Sequence, residues 1–334
     1  MKKKYLLLSF GRHSDLLNLA SQIKKSIGED SIEIDILCNH SVVDGEDVSE
    51  IGAKYLPITR YFSILFSLNK NFILHSVSPS ISSLILCMTG KIFGSKVFYN
   101  IHRFDFLSYK GIKKIGVFIY TFLVFSISDV VFVHVKNKKR FLFWSNKLVF
   151  AELPKFESHS KKVDGSIKGK EILFFGRIDG NKGLNLLSEI IKLAPDTKFR
   201  IVGELVDKSL SNLLKNISLL ENVVVDIGRK KSKDLPKVFQ NALLVILPYS
   251  GGTQSGIPFL ARSLKTPVLV SNVGELPETV RDSAFGECVD TRNPSDWLKY
   301  IKESDWNGKR AMIAEQISLI TEDDIYLRKF KDHV

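Results

Sequence analysis

The chain has no long apolar run: its longest, Ile115 to Ile127 ("IGVFIYTFLVFSI"), is 13 residues and soon meets Asp129. A membrane-crossing helix needs roughly 20 apolar residues, so this run predicts a buried or interfacial helix instead. Cysteine is scarce, with Cys38, Cys87 and Cys288 widely spaced and no CxxC pair. That spacing excludes a disulfide framework and a cysteine zinc site, and it fits a reducing compartment. No GxGxxG fingerprint follows the first apolar run, where "SFGRHSD" offers Gly11 alone, which weakens a dehydrogenase reading. The start, "MKKKYLLLSFG", is basic, but its apolar part is too short for a signal peptide and no small-residue cleavage site follows, so it predicts a first strand. Internal repeats and low-complexity tracts are missing too.

What is present suits a globular protein of two domains. The chain has 334 residues, 44% hydrophobic and 25% charged, enough for two real cores. Its net charge of +12 is uneven, because residues 1–150 carry 20 Lys and Arg against 11 Asp and Glu. A basic first half faces nucleic acid, an anionic membrane surface or a phosphorylated substrate, or is simply a solvated lysine-rich surface.

Apolar runs alternate with helical spacings, the rhythm of parallel α/β sheets. In the first half "KYLLLSF", "IEIDILC", "NFILHSV", "KVFYNI" and "DVVFVHV" predict strands, with helices at "DLLNLASQIKKSI" and "SISSLILCMTGKIF". In the second, "EILFFG", "KFRIVG", "NVVVDIG", "LLVILP" and "PVLVS" alternate with helices at "GLNLLSEIIKLA", "DKSLSNLLKNI" and "LPKVFQNA". The expected organisation is a Rossmann-like domain over 1–153, a linker over 154–169, a second such domain over 170–310 and a C-terminal helix over 311–334 packing back on the first domain. Two doubly wound domains of this kind face each other across a cleft at their strand ends.

Two stretches carry candidate chemistry. In "FFGRIDGNKGLNLL", Gly176 ends a strand, Arg177 lies at its carboxyl end, and Lys182 opens a helix. A helix N-terminus with two cations suits an anion, although Arg177 paired to Asp179 beside an exposed Lys182 is the simpler structural alternative. In "LPYSGGTQSGIPFLARSLKTPVLVSNVGELPE", a strand ends at Pro248 and releases into small and hydroxylic residues. Gly251, Gly252, Thr253, Gln254 and Ser255 can offer hydroxyls and N–H groups to a phosphate; Thr253 or Ser255 equally suits an ordinary N-cap.

Together these stretches resemble the C-terminal half of the GT-B glycosyltransferases of family 4, or group 1, over residues about 170–290. "GRxxxxKG", then "IVG", the strand ending in Pro, "PV" and "VGxLPE" carry the resemblance in order. It implies an α/β GT-B fold and transfer of a sugar from a UDP- or GDP-linked donor, with retained configuration and no metal or other cofactor. Arg177 and Lys182 match the residues that hold the donor diphosphate. The family's pair of glutamates, eight residues apart, falls near Gly252 and Leu260, neither of them acidic. A subset with "TQSG" implies that Thr253, Gln254, Ser255 and Gly256 replace the first glutamate's contacts. Glu278 matches the acid of "VGxLPE" and either binds ribose or caps a helix. The base is expected at a backbone clamp from Asp226 to Arg229, around Gly228.

For the first domain the resemblance implies the acceptor site. In "KVFYNIHRFDF", His102 matches a histidine near the donor sugar, and Asp105 pairs with Arg103 or binds substrate. Gly11, Arg12 and His13 lie at the acceptor side in the first strand–helix turn. No DxD pair is present for a metal-held pyrophosphate. The implied acceptor is a saccharide or a polyprenyl-linked sugar in surface polysaccharide assembly, whether O-antigen, capsule or exopolysaccharide. Expected partners exclude nucleic acid, whose modules the basic stretch "VKNKKRFLFW" does not match. Lys110, Lys113 and Lys114 precede the apolar helix and suit an anionic membrane surface, or a core helix with a basic approach. A cytoplasmic protein, peripheral on the inner membrane face, is the expected setting. A nucleotide-sugar epimerase and a non-catalytic sugar-nucleotide binder are the competing readings.

Overall fold

The computed structural model describes residues 3–9, 19–20, 23, 32–38, 54–77, 80–101, 111–133, 146–150, 169–231, 234–251, 255–281 and 284–319. They fall into two units, the first ending by residue 150 and the second beginning at 169.

The first unit is a seven-stranded parallel sheet: β1 (Lys3–Ser9), β2 (Ile32–Cys38), β3 (Lys54–Pro57), β4 (Phe72–Ser76), β5 (Lys96–Ile101), β6 (Val130–Val133) and β7 (Leu148–Phe150). Its order is β3-β2-β1-β4-β5-β6-β7. The central strands are apolar on both faces, which is why "YLLL" and "VVFV" read as continuous runs rather than alternations. One face packs Tyr5, Leu7, Ile34, Phe98 and Phe132 against Leu19, Ala20 and Ile23, the described part of the helix expected over 15–27. The other packs Leu6, Leu8, Leu74, Val97 and Val131 under three helices, α1 (Tyr61–Ser67), α2 (Ile81–Ile92) and α3 (Ile112–Ile127). Ser80 caps α2 by accepting from the Ser83 N–H at 2.9 Å.

The apolar run of α3 divides its residues between core and surface. Val124 and Phe125 are buried in the sheet-facing core, whereas Ile115, Phe118, Ile119 and Phe122 are exposed. None of the described helices is long and apolar enough to cross a membrane.

The second unit is a six-stranded parallel sheet: β8 (Glu171–Phe175), β9 (Lys198–Gly203), β10 (Val223–Ile227), β11 (Ala242–Leu247), β12 (Val268–Ser271) and β13 (Gly286–Val289). Its order is β10-β9-β8-β11-β12-β13. Helices α4 (Leu184–Leu193), α5 (Ser211–Ser218), α6 (Leu235–Gln240), α7 (Ile257–Ser263), α8 (Leu276–Thr279), α9 (Pro294–Glu303) and α10 (Trp306–Leu319) connect and follow the strands. From β8 the chain winds first to β9 and β10, then crosses to β11 on the other side. The strand order therefore reverses between β8 and β11, the place where open α/β sheets leave a crevice at their carboxyl ends.

Several elements do not show in the sequence pattern: β3, β7, β13, α1 and α9. Helix α10 is anchored by buried Arg310, whose Nη2 donates to the Ala242 carbonyl and to Thr266 Oγ1, the latter at 3.4 Å. Burial pushes the guanidinium down to about 10, still cationic at neutral pH. Of the helix expected over 311–334, the part up to residue 319 belongs to α10, and the rest lies outside the described residues.

Candidate functional site in the second unit

The loop after β8 is pinned by alternation. Ile178 points inward, fully buried, and bridges Leu205, with its N–H donating to the Glu204 carbonyl at 2.8 Å. Its neighbour Arg177 therefore points outward. Its Nη2 lies 3.3 Å from Asp179 Oδ2 and the side chain is 68% exposed, so this pair contributes at most about 1 kcal/mol and leaves the cation open to an anion. Asp179 also accepts from the Asn181 N–H at 3.1 Å and so shapes the following turn, Gly180–Lys182.

Gly183 makes the turn into α4. Its φ is +73°, and a Cβ there would lie 1.7 Å from the Pro248 carbonyl oxygen. Only glycine lets the β8 and β11 loops approach this closely. The two loops are then joined: Ser250 N–H donates to the Asn181 carbonyl at 3.0 Å, and Ser250 Oγ to the Gly180 carbonyl at 3.3 Å.

Lys182 Nζ sits 3.9 Å from the centroid of the Tyr249 ring, a cation–π contact across the junction. Tyr249 is buried, and its hydroxyl lies 3.2 Å from Ser255 Oγ, which accepts from the Ile257 N–H at 3.3 Å. Ser271 Oγ donates to the Tyr249 carbonyl at 2.9 Å. Burial pushes the Tyr249 phenol up to about 12, against smaller pulls from Ser255 and Arg177, so it stays neutral at physiological pH. Tyr249 thus connects Lys182 to Ser255, a role the sequence reading missed. The available signal was an aromatic residue directly after a strand-ending proline.

The structure brings Arg177, Lys182 and Ser255 to the junction of β8, α4, β11 and α7. Gly176 is beside them, a Cβ there lying 3.5 Å from the Ile257 side chain. Gly256 is exposed immediately before α7. Gly228 follows the edge strand β10, two strands from β8, or about 10 Å across the sheet. Close to it Asp226 pairs with Lys230 at 2.6 Å and Arg200 at 3.6 Å. Glu278 lies in the first turn of α8 and pairs with Arg281 at 2.8 Å; the α8 N-cap carries no side-chain hydrogen bond. The expected residues Gly252, Thr253, Gln254, Gly11, Arg12, His13, His102 and Asp105 lie outside the described residues.

In the first unit a buried polar chain crosses the sheet. His75 Nδ1 lies 2.5 Å from the Tyr5 hydroxyl and Nε2 2.8 Å from Asn100 Oδ1. The amide oxygen only accepts, so Nε2 carries the proton and Tyr5 donates to Nδ1. Among the described residues no group of three His, Cys, Asp or Glu is placed to hold a metal ion.

The fold of two parallel sheets with interleaved helices is that of the GT-B glycosyltransferases. Residues 156–318 match the family described as "Glycosyl transferases group 1". Over 300 residues the chain is 25% identical to an uncharacterized 41.2 kDa protein in the cps region of Klebsiella pneumoniae, covering 81% of this chain and 79% of that one. It is 28% identical over 135 residues to a D-inositol 3-phosphate glycosyltransferase of Segniliparus rotundus, 38% of this chain and only 30% of that enzyme. Among solved structures, Anabaena HepE in complex with UDP-glucose superposes with a TM-score of 0.75 at 13% identity, over 99% of this chain and 98% of that one. Residues 156–318 thus resemble the group 1 glycosyltransferases, and the fold is shared over nearly the whole chain.

Proposed function

We propose that the chain transfers a sugar from a nucleotide-sugar donor to a saccharide or lipid-linked acceptor during surface-polysaccharide assembly at the cytoplasmic face of a membrane. The observation that carries this reading is the meeting of Arg177 and Lys182 at the strand-order reversal. The match to a cps-region protein directs the acceptor toward polysaccharide. The donor's diphosphate would lie against Arg177 and Lys182, with Gly176 leaving room for it. As the sugar–phosphate bond breaks, negative charge grows on the leaving oxygen, and two fixed cations stabilise that charge more than the ground state. Lys182 exchanges its ring contact, worth about 0.5–1 kcal/mol at an accessible site, for a charge-assisted hydrogen bond worth about 1.5–3.

In this reading the TQSG loop, Thr253, Gln254, Ser255 and Gly256, holds the donor sugar, with Ser255 positioned by Tyr249. Glu278 would leave Arg281 to bind the ribose, and Gly228 would approach the base. The first domain would supply the acceptor site through Gly11, Arg12, His13 and Asp105, with His102 near the transferred sugar. Transfer would retain configuration, the leaving phosphate taking the acceptor hydroxyl's proton on the same face, with no metal required. Since HepE is in complex with UDP-glucose, UDP is the first nucleotide to test.

The direct test is calorimetric titration of UDP, GDP and CMP into wild type and Arg177→Ala. One nucleotide should bind selectively and lose affinity in the variant. With an acceptor in hand, Arg177→Ala and Lys182→Ala should each lower kcat/KM by about tenfold to thousandfold with unchanged melting temperature. Near-normal turnover in both variants would sink the diphosphate assignment.

A further inference from the structure

The outer surface of the α1–α3 layer is unlike that of an ordinary α/β protein. In the second unit α4 turns Asn185, Glu189 and Lys192 to solvent. In the first unit Phe62 (68% exposed), Phe66 (85%), Ile81 (73%), Ile92 (79%), Ile112 (88%) and Ile115 (61%) project from three neighbouring helices whose inner residues share one core. Single exposed apolar residues are common, but a whole helical layer with an apolar outer face marks a docking surface.

The charge around this face selects its occupant. Sequences of α1, α2 and α3 contain no Asp or Glu. Between Glu50 and Asp129 the chain holds nine Lys and Arg against a single acid, Asp105. Arg60 and Lys70 are exposed on either side of α1, and Lys114 is exposed in the first turn of α3. A second copy docked face to face would set these cations against their own kind, a like-charge cost. An anionic bilayer accepts both features, since apolar side chains enter the acyl boundary while each nearby cation adds about 1 kcal/mol of attraction to the headgroups. We infer that the outer face of α1, α2 and α3 docks on an anionic lipid bilayer. This deepens the proposed function by naming the surface that meets the membrane, and it stands or falls separately from the donor site.

The experiment is co-sedimentation of the full chain with vesicles of phosphatidylcholine alone or mixed with phosphatidylglycerol. Wild type should sediment with the mixed vesicles and release as salt rises from about 0.1 to 1 M, where the Debye length shrinks from about 10 to 3 Å. A variant with Phe62→Ser, Phe66→Ser, Ile115→Ser and Phe118→Ser should lose vesicle partitioning by about tenfold or more. Replacing Arg60, Lys70 and Lys114 with Gln should remove the preference for phosphatidylglycerol. Both variants should bind UDP as wild type does, which separates this result from failure of the donor site. Should the quadruple variant fail to fold, Phe66→Trp replaces it: brominated lipid should quench the added fluorescence above that of wild type. Wild type remaining in the supernatant, serine variants sedimenting unchanged, or fluorescence of the Phe66→Trp variant left unquenched would each overturn the inference. So would a solution dimer abolished by the serine substitutions in a protein that ignores vesicles.

Discussion

At the scale of the residue, Gly183 and Tyr249 decide whether the two site loops meet. An alanine at 183 would have to occupy the space of the Pro248 carbonyl oxygen, 1.7 Å from its Cβ, in a left-handed backbone. Gly183→Ala should therefore cost about 2–4 kcal/mol and lower activity along with stability, read by denaturant melts beside nucleotide titration. Tyr249→Phe keeps the ring beneath Lys182 and removes only the hydroxyl at Ser255. It should stay within about 1.5 kcal/mol of wild type in stability, whereas Tyr249→Ala empties a buried aromatic site and should cost about 3 kcal/mol or more. Arg177 and Lys182 were legible in sequence because charged side chains interrupt an apolar strand–helix junction. Tyr249 was not, because its partners Lys182 and Ser271 come from distant parts of the chain, the turn after β8 and the end of β12, and no local pattern encodes that meeting.

Among the elements, strands buried on both faces were easiest to read. β1, β5, β8 and β11 are continuous apolar runs because helices cover both sides of a parallel sheet. Short strands such as β3 and β7 exist by pairing with an edge already formed, so four or three residues suffice and no periodicity announces them. The edge pair β9–β10 carries a testable electrostatic contact. A hydrogen bond from Lys230, helped by Arg200, holds the Asp226 carboxyl below its ordinary value of 3.8. A depressed carboxylate contributes stability above its unfolded value and loses it as pH falls through the folded one. Asp226→Asn should thus be less stable than wild type at neutral pH, by a small margin at this partly exposed site, and the gap should close below about pH 4. A gap of constant size down to acid pH would show that packing, not charge, causes the loss.

At the scale of the whole molecule, each unit closes its own core. The second unit packs α4, α5, α9 and α10 on one face of its sheet through residues such as Leu187, Ile190, Ile217, Trp297 and Trp306. It also contains Arg177, Lys182, Tyr249 and Ser255. A fragment spanning Lys155–Glu322 should accordingly melt in one cooperative transition and bind UDP, as circular dichroism and calorimetry can establish. A fragment that folds but binds no nucleotide would move an essential donor contact to the first unit.

What the sequence by itself determined is the alternation of buried strands and amphipathic helices, hence the α/β class, and the cations at the end of β8. These follow from local chemistry: burial demands apolar runs, and a charge among them stands out. Only the tertiary structure decided that β8 and β11 are neighbours at the strand-order reversal, that Tyr249 joins Lys182 to Ser255, and that three helices turn apolar faces outward. Each of these depends on which distant segments come to lie side by side. The apolar run in α3 shows the difference most plainly: hydropathy counts its residues, but only packing against the sheet tells which of them remain for another surface.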